Sequence, residues 1–531
     1  MNIFKVYFLK NRLNAFGIIL LSVFIGITSF GLSEKIKIVF NEGILRNNIT
    51  TLENNIFILF VIFIILFFLN VFSSVLNNVI QWKGTKNLKL YAMNKIFGSK
   101  YDYFLENQPT SIWTELNISS SKVADYYTSV VSIFSKAIEF IVYLLIIINI
   151  NVYAGIFTLL TIPFVYIFTL GVKKKMAFYQ NKMLEKSREL SSVSIESLEN
   201  INNIKVKNEN DFFIKIIDKK HTELNNNIIK SAFYENYWSF MTSLINSIAP
   251  ILVIFLLMKF TDLITIDSGE IIILYSFIPI FLSTFKTLYS YIMNYYTSKP
   301  YLQSIKKFFN LEGEKDGDFI IKNFETLETK NLKIMHGKKI ISIPDFNIKK
   351  GEKVLISGES GIGKSSFFNL ILGLNDNYTG IIKINGHDLK DFNVSSLRKI
   401  FGISFQSSGI FSLNLKENIS LGKSYTEKEI DKVINIANLQ KQLKEKNEAL
   451  LSNNILSGGE KSRINIAQNL FRTPEVILLD ESLSSVDEEM ESDIIKNIVE
   501  NFTQNTIICI SHRKSSEKYF EKIISFQGEI I

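Results

Sequence analysis

Cysteine is almost absent from this chain, since Cys509 is the single thiol among 531 residues. One cysteine excludes an intrachain disulfide and is typical of a segment that folds in a reducing compartment. The chain also lacks internal repeats and low-complexity tracts, which excludes a repeat array. No basic stripe with interleaved aromatic side chains occurs, so we expect no nucleic-acid partner in spite of the net charge of +8.

Long uncharged apolar runs are present instead, and they lie in the N-terminal part of the chain. A helix that crosses a bilayer needs about twenty apolar residues, and the runs that reach this length are 13–33, 54–82, 140–172, 236–258 and, interrupted by Lys286, 271–294. The third run is too long for one span, and its polar break Asn149-Ile150-Asn151 predicts a helical hairpin, which makes six spans. The first run is longer than a signal-peptide core and lacks a cleavage pattern, so we expect it to be retained.

Lysine and arginine concentrate in two of the connections between the spans. Residues 83–122 hold six of them and residues 173–230 hold twelve. Basic connections face the cytoplasm, so we expect a multi-pass protein of the cell inner (plasma) membrane with both termini cytoplasmic. The length of these connections predicts helical extensions of the spans. Richness in Ile, Asn and Lys is typical of an AT-rich bacterial genome.

Composition changes near residue 299, where apolar runs give way to charged and glycine-containing sequence. We predict a transmembrane domain over residues 1–298, a linker over residues 299–324 and a soluble domain over residues 325–531. The two halves then have separate cores, which a chain of this length can supply.

A phosphate-loop pattern lies in the soluble half. The short apolar strand Lys353–Ser357 leads into Gly358-Glu-Ser-Gly-Ile-Gly363-Lys364-Ser365, and a helix follows. Glycines let backbone amides approach phosphates, and the N-terminus of the helix favours an anion. Lys364 would reach the β- and γ-phosphates of a nucleotide, and the Ser365 hydroxyl would ligate Mg²⁺. The candidate nucleotide ligands of this loop are Gly358, Glu359, Ser360, Gly361, Ile362, Gly363, Lys364, Ser365 and Ser366.

Two further patterns lie downstream of the loop. The apolar strand Val476–Asp480 ends in a carboxylate that can complete a Mg²⁺ site, and Glu481 follows it directly. Between loop and strand, Leu456-Ser457-Gly458-Gly459-Glu460 precedes a helix predicted over residues 460–471. A hydroxyl and free amides at the start of a helix can form a second anion site, or they can cap the helix. The residues alone leave both interpretations open.

The order of these patterns resembles the ATP-binding cassette, and the six predicted spans resemble the membrane half of an ABC exporter. The resemblance is to an exporter-type half-transporter, with one membrane domain and one cassette. It implies an α-helical transmembrane domain with six spans plus an α/β P-loop ATPase domain. It also implies ATP as the nucleotide and Mg²⁺ as the metal, held by Ser365, Asp480 and Gln406.

The same resemblance implies roles for single residues. Glu481 would polarise the attacking water, His512 would contact the γ-phosphate, and Gln406 would sense the metal. The residues implied to serve the ATP held by a second subunit are Ser457, Gly458, Gly459 and Asp487. Two positions depart from the family pattern: His336 replaces the aromatic residue that stacks on adenine, and residues 448–455 replace a Val-Gly-Glu run.

The function expected from the resemblance is ATP-driven export by alternating access in a dimer embedded in membrane lipid. One chain carries both halves of an ATP site, so we expect a second half-transporter of the same kind, with a heterodimer as the alternative. A peptide or bacteriocin, a hydrophobic drug and a lipid are all open as the exported substrate. Lys286 lies within an apolar span, which predicts a position on the substrate cavity. The alternative function is an ATP-gated regulator or channel that hydrolyses ATP without pumping.

Overall fold

The computed structural model describes residues 3–260, 267–314, 316–336, 339–359, 361–406, 409–442, 450–451 and 456–526. The chain forms two compact units. The first consists of Met1–Asn94 and Trp113–Asn310, and the second of Lys95–Ile112 and Leu311–Ile531. All the strands that the structure describes lie in the second unit.

Very long helices dominate the first unit. The described α-helices up to residue 309 are α1 (Ile3–Ile38), which a π-helical turn over Val39–Ile44 continues, α2 (Ile49–Phe97), α3 (Asp102–Glu106), α4 (Pro109–Ile150), α5 (Val152–Glu199), α6 (Ile201–Lys207), α7 (Asn210–Phe260), α8 (Ser268–Ser298) and α9 (Tyr301–Phe309). The basic stretch 83–97 continues α2, and residues 173–199 continue α5, so the predicted helical extensions are confirmed. The short helix α9 lies within the predicted linker, and the predicted domain limits stay predictions.

Five of the described helices, namely α1, α2, α4, α7 and α8, are long and apolar enough to cross a membrane. The remaining predicted span corresponds to the beginning of α5, where a shorter apolar stretch covers Val152–Phe164. Between α4 and α5, the Asn151 side chain accepts hydrogen bonds from the amides of Tyr153 at 2.8 Å and Ala154 at 3.4 Å. Such a cap satisfies amides that a helix leaves unpaired at its start. The predicted helical hairpin is therefore confirmed.

The apolar core of the first unit is centred on α8. Phe277 and Phe281 of this helix are fully buried, and they belong to one cluster with Leu32 of α1, Ile147 of α4 and Val253 of α7. Helices in lipid gain little hydrophobic free energy by meeting one another, so close side-chain packing of this kind holds them together.

Two five-stranded sheets form the framework of the second unit. The strands are β1 (Thr326–His336), β2 (Lys339–Ile343), β3 (Phe346–Lys349), β4 (Lys353–Ser357), β5 (Tyr378–Ile384), β6 (His387–Asp388), β7 (Phe401–Ser404), β8 (Val476–Asp480), β9 (Thr506–Ile510) and β10 (Lys522–Ser525). One sheet is antiparallel with the order β2-β1-β5-β6, and β3 pairs with β1. The other is parallel with the order β10-β4-β9-β8-β7.

Helices cover the parallel sheet, as the near-continuous burial of β4, β8 and β9 requires. The α-helices that the structure describes in full after residue 360 are α10 (Lys364–Ile371), α11 (Val394–Ile400), α12 (Leu415–Ser420), α13 (Glu427–Ile436), α14 (Gly458–Phe471) and α15 (Glu488–Asn501). Phe367 and Phe368 of α10 belong to one buried cluster, whereas Ile464 of α14 and Ile494 of α15 belong to another. The strands predicted as β4 and β8 are confirmed. Helix α14 starts two residues before the predicted position, because Ser457 caps it.

Candidate nucleotide site

Four strands of the parallel sheet end at the same edge, and the predicted site residues follow them. β4 leads into the phosphate loop, β8 ends at Asp480, β9 precedes His512, and Gln406 lies two positions after β7. Loops at the carboxyl ends of parallel strands form the usual binding crevice of such sheets. The fold thereby brings together residues that are far apart in the sequence.

The phosphate loop turns sharply where it enters α10. Gly363 is the N-cap of this helix and has a φ of 99°, a backbone conformation that glycine adopts without strain. A Cβ at this position would lie 2.4 Å from Cγ2 of Ile341 on β2. Only glycine therefore allows the loop to pack this closely against the antiparallel sheet.

The Lys364 ammonium lies inside the curve of the loop. Its Nζ donates to the carbonyl oxygens of Gly358 and Glu359 at 2.8 Å each. Burial lowers the pKa of Lys364, and the carboxylates of Glu481 and Asp480 oppose this shift. A partly desolvated ammonium held by carbonyl dipoles can exchange them for phosphate oxygens, which carry full negative charge.

Ser365 and Asp480 meet at the base of the loop. The Ser365 hydroxyl donates to Oδ1 of Asp480 at 2.9 Å, and Asp480 is only 4% exposed. Burial raises the pKa of Asp480, and the hydrogen bond from Ser365 opposes that shift. The described residues contain no cluster of three or more metal-ligating side chains. Mg²⁺ bound with nucleotide phosphates takes only one or two protein oxygens, and this hydroxyl and carboxylate fit that requirement.

The Glu481 carboxylate lies between Gln406, which follows β7, and His512, which follows β9. Its Oε2 accepts a hydrogen bond from Nε2 of Gln406 at 2.8 Å, and its Oε1 lies 3.0 Å from Nε2 of His512. The same His512 nitrogen lies 3.2 Å from Nζ of Lys364. One ring nitrogen cannot accept from Lys364 and donate to Glu481 at once, so the tautomer determines which contact forms. The backbone of Glu481 has a φ of 44°, and such strained positions concentrate at functional sites.

The Leu-Ser-Gly-Gly segment forms the start of α14. Ser457 and Glu460 cap the helix reciprocally: the amide of Glu460 donates to the Ser457 hydroxyl at 3.3 Å, and the amide of Ser457 donates to Glu460 Oε2 at 2.8 Å. Ser462 and Ser485 place their hydroxyls 2.9 Å apart. A Cβ on Gly459 would lie 3.2 Å from the carbonyl oxygen of Ser485. The helix start is thus pressed against the turn after Glu481.

Asp487 caps the next helix, α15, since its carboxylate accepts a hydrogen bond from the amide of Met490 at 2.9 Å.

The sequence patterns did not predict two charged residues that lie beside the turn between Glu481 and Asp487. Glu491 of α15 is 3% exposed, and Arg513 forms an ion pair with it at 2.6 Å. The available signals were an acid in the first turn of α15 and an arginine directly after His512.

Some predicted residues have no described surroundings, and others lie away from this edge. Ser360, the His336 side chain and most of 448–455 lie outside the described residues. Three other predicted residues are described. Gly361 has a φ of 85°, the Ile362 side chain packs against the apolar core, and Ser366 lies in α10. Lys286 belongs to α8 of the first unit.

Lys286 is half-buried between α7 and α8. Its Nζ donates to the Thr242 hydroxyl at 2.9 Å and lies 4.5 Å from the centre of the Trp238 ring. No carboxylate pairs with this lysine in the part of the chain that the structure describes. The positive charge is therefore stabilised by a hydroxyl and an aromatic face rather than neutralised.

Comparison with family models and known proteins agrees with this geometry. A model described as ABC transporter transmembrane region matches residues 13–285, which is more than half of the chain. A second model, described as ABC transporter, matches residues 341–484. A membrane region followed by one cassette is the architecture of an exporter half-transporter, as the sequence predicted. The predicted fold class is likewise confirmed.

The chain is similar to parts of several curated transporters. It is 36% identical over 205 residues to "Multidrug resistance protein 4" of Entamoeba histolytica, covering 36% of this chain and 16% of that protein. It is 35% identical over 192 residues to "Probable multidrug resistance ABC transporter ATP-binding/permease protein YheI" of Bacillus subtilis, covering 35% of this chain and 33% of that protein.

A solved structure shares the fold over nearly the whole chain. It is a bacterial Atm1-family ABC exporter with ATP bound, and it matches with a TM-score of 0.82 and 17% sequence identity. The match covers 98% of this chain and 94% of that one. At this identity the likeness extends to the fold alone.

Proposed function

Since this chain belongs to the ABC transporter family, we propose that it hydrolyses ATP to export a substrate from the cytoplasm across the membrane or into its outer leaflet. The observation that carries this proposal is the set of contacts at the sheet edge, where Ser365 contacts Asp480 and, beside them, His512 contacts both Lys364 and Glu481. Each of these residues belongs to a type that phosphoryl chemistry uses, and the fold holds all of them within hydrogen-bonding distance of a neighbour.

ATP would bind with its phosphates in the loop Gly358–Ser365. Lys364 would exchange two loop carbonyls for phosphate oxygens, and the N-terminus of α10 would face the same anion. Ser365 and Asp480 would hold Mg²⁺, with Gln406 as a further ligand. The metal, when bound, supplies positive charge that stabilises the transferring phosphoryl group.

Hydrolysis would rest on Glu481 and His512. Glu481 would orient and deprotonate the attacking water, because a carboxylate held by Gln406 at 2.8 Å keeps one oxygen in a defined direction. His512, once released from Glu481, would donate a hydrogen bond to the γ-phosphate. The 3.2 Å contact between His512 and Lys364 supports this assignment, since both side chains then reach the same phosphate.

We infer that two such chains work together, and that Ser457, Gly458, Gly459 and Asp487 complete the ATP site of the partner. The start of α14 supports this inference, because the amides of Gly458 and Gly459 lie at the N-terminus of a 14-residue helix, next to the Ser457 hydroxyl that caps it. A homodimer is the simplest assembly, and a heterodimer with a related half is the alternative. We also infer a bacterial plasma-membrane protein with both termini in the cytoplasm, from the basic connections between spans.

The substrate cavity would lie in the first unit, with Lys286 on its wall. An ammonium that contacts the Thr242 hydroxyl and the Trp238 ring can accept an anionic or polar group of a substrate. Peptides, hydrophobic drugs and lipids with such a group are the candidates. Alternating closure of the two cassettes around ATP would move this cavity between the two sides of the membrane.

The test is the variant Glu481→Gln in the purified full-length protein in lipid. Loss of the base lowers ATP turnover by about 10²- to 10⁴-fold, while ATP affinity stays within about threefold because Gln keeps the contact with Gln406. Glu489→Gln, which alters an exposed acid on α15, is the matched control and keeps full turnover. Unchanged turnover in Glu481→Gln would refute the mechanism. Hydrolysis without substrate uptake into inside-out vesicles would favour the regulator or channel.

A further inference from the structure

A buried carboxylate ties together the backbone around the hydrolytic residues. Glu491 is 3% exposed, and burying a charge of this kind requires several partners. Its Oε2 lies 2.6 Å from Nη1 of Arg513, and its Oε1 accepts hydrogen bonds from the hydroxyls of Ser511 at 3.1 Å and Ser516 at 3.2 Å. All three donors belong to residues 511–516, the segment after β9 that carries His512. We call it the His512 segment.

Arg513 extends the connection to the turn that follows Glu481. Its Nη1 also donates to the carbonyl oxygen of Val486 at 2.7 Å, and its Nη2 donates to that of Ser484 at 3.0 Å. A planar guanidinium with fixed donor directions can hold three acceptors at once in this way. One side chain therefore joins α15, the His512 segment and the turn 482–486.

The His512 side chain is 44% exposed, and its Nε2 lies 3.0 Å from Glu481 and 3.2 Å from Lys364. The position of its backbone depends on the residues on either side. The neighbours in sequence, Ser511 and Arg513, both bond to Glu491. The turn 482–486 in turn begins next to Glu481, whose amide donates to the carbonyl oxygen of Ile510 at 3.0 Å. The same ion pair therefore joins the backbone on both sides of His512 to this turn.

We propose that Arg513 and Glu491 are positioning residues for hydrolysis, which hold His512 and the turn 482–486 in one mutual arrangement. The inference rests on the proposed ATPase function. Neither residue would have to contact the nucleotide. Their effect is exerted through His512 on the γ-phosphate and through the turn on Glu481, so that the two sides of the site change position together.

The first experiment compares ATP turnover in the full-length dimer in lipid. Arg513→Gln and Glu491→Gln are expected to lower kcat by about 100-fold, the effect of a misplacement of about 1 Å at a reacting group, with ATP affinity changed less than about threefold. Arg513→Lys keeps the charge but cannot serve three acceptors, so a smaller loss is expected. The matched control is the pair Glu314–Arg398, a bidentate ion pair of the same unit with distances of 2.7 and 2.8 Å. Glu314→Gln and Arg398→Gln are expected to retain turnover within about threefold of the unaltered protein.

The second experiment is a double-mutant cycle on kcat with His512→Ala. If Arg513 acts through His512, the loss in the double variant equals about the larger single loss, because residues that act as a unit are not additive. A merely structural role of Arg513 gives multiplied losses instead. Folding of each variant is checked by the elution profile of the dimer and by ATP binding. Arg513→Lys gives a second cycle with the same criterion if Arg513→Gln does not fold.

The possible outcomes separate this inference from the proposed function. Multiplied losses, or losses no larger than those in the Glu314 and Arg398 controls, would overturn the positioning role. If Glu481→Gln still abolishes turnover in that case, the ATPase assignment stands and only the inference fails. If Glu481→Gln has no effect, both fail.

Discussion

Replacement of Lys353 by methionine removes an ammonium that anchors the end of one helix to the central sheet. Lys353 lies at the start of β4 and is 5% exposed. Its Nζ donates to the carbonyl oxygens of Gly351 at 2.9 Å, Thr503 at 2.9 Å and Asn505 at 2.6 Å, and the carbonyl oxygen of Phe502 lies at 3.4 Å. The last three belong to the chain directly after α15.

The loss of stability in Lys353→Met follows from the number of carbonyl oxygens that lose their hydrogen-bond donor. A hydrogen bond to a charged group contributes about 1.5–3 kcal/mol, and three good ones disappear here. Burial lowers the pKa of Lys353, which shows that desolvation offsets part of this gain. We expect a net loss of about 3 kcal/mol, which in a domain of this size corresponds to about 6–12 °C in the melting temperature.

The chain contains its own reporter for this measurement. Cys509 is the single cysteine, lies in β9 beside β4 and is 3% exposed. Burial raises the pKa of its thiol, so a thiol-reactive fluorophore labels it only when the cassette opens. Thermal melts of the full-length protein with this dye therefore follow the cassette alone. Lys349→Met, at an exposed lysine nearby, is the control with an unchanged melt. A shift below about 2 °C for Lys353→Met would refute the reasoning, since one lost hydrogen bond already exceeds it.

Three more predictions concern the site and the membrane unit. Asp480→Asn is expected to raise the melting temperature of the nucleotide-free protein at pH 7, because the raised pKa of Asp480 means that the fold loses stability as the pH rises from about 4 through that pKa. This gain in melting temperature should vanish toward pH 4 and accompany a loss of ATP turnover, and a gain independent of pH would contradict the prediction. In mixed dimers with differently tagged subunits, Ser457→Ala in one chain and Lys364→Ala in the other should leave one ATP site intact, whereas both changes in one chain should damage both sites. If the second dimer turned over ATP as fast as the first, or faster, the two chains would not share their ATP sites. Lys286→Met should raise the concentration of an anionic substrate that half-stimulates ATP turnover by about tenfold, measured across peptides, drugs and lipids. An unchanged concentration would show that Lys286 does not contact the substrate.

Local patterns predicted those parts of the site whose chemistry lies in adjacent residues. The phosphate loop could be predicted because its glycine spacing and the following Lys364 and Ser365 are adjacent in sequence and together form the phosphate-binding pattern between a strand and a helix. The hairpin at Asn151 was equally local, since a capping side chain acts on amides two and three residues away. Helix α14 begins at Gly458 rather than at the predicted residue 460, because Ser457 is its N-cap.

The contacts between distant segments could not be predicted in the same way. Glu491 and Arg513 are charged residues without a motif, and the sequence offers no reason to bury one of them. Their pairing depends on α15 lying beside the segment that follows β9, a contact between parts of the chain that no local pattern specifies. The strained backbone of Glu481 likewise has no local cause, because glutamate favours other conformations.

The sequence by itself determined the family, the helical membrane half, the cassette and the residue types that we propose bind the phosphates and the metal. These depend on composition and on spacing along the chain, which are properties of short stretches. Only the tertiary structure decided that Glu481 lies between Gln406 and His512, and that Arg513 joins that histidine to the neighbouring turn. Such contacts arise when separate strands end at one edge, and strand order is set by the packing of the whole sheet rather than by any one segment.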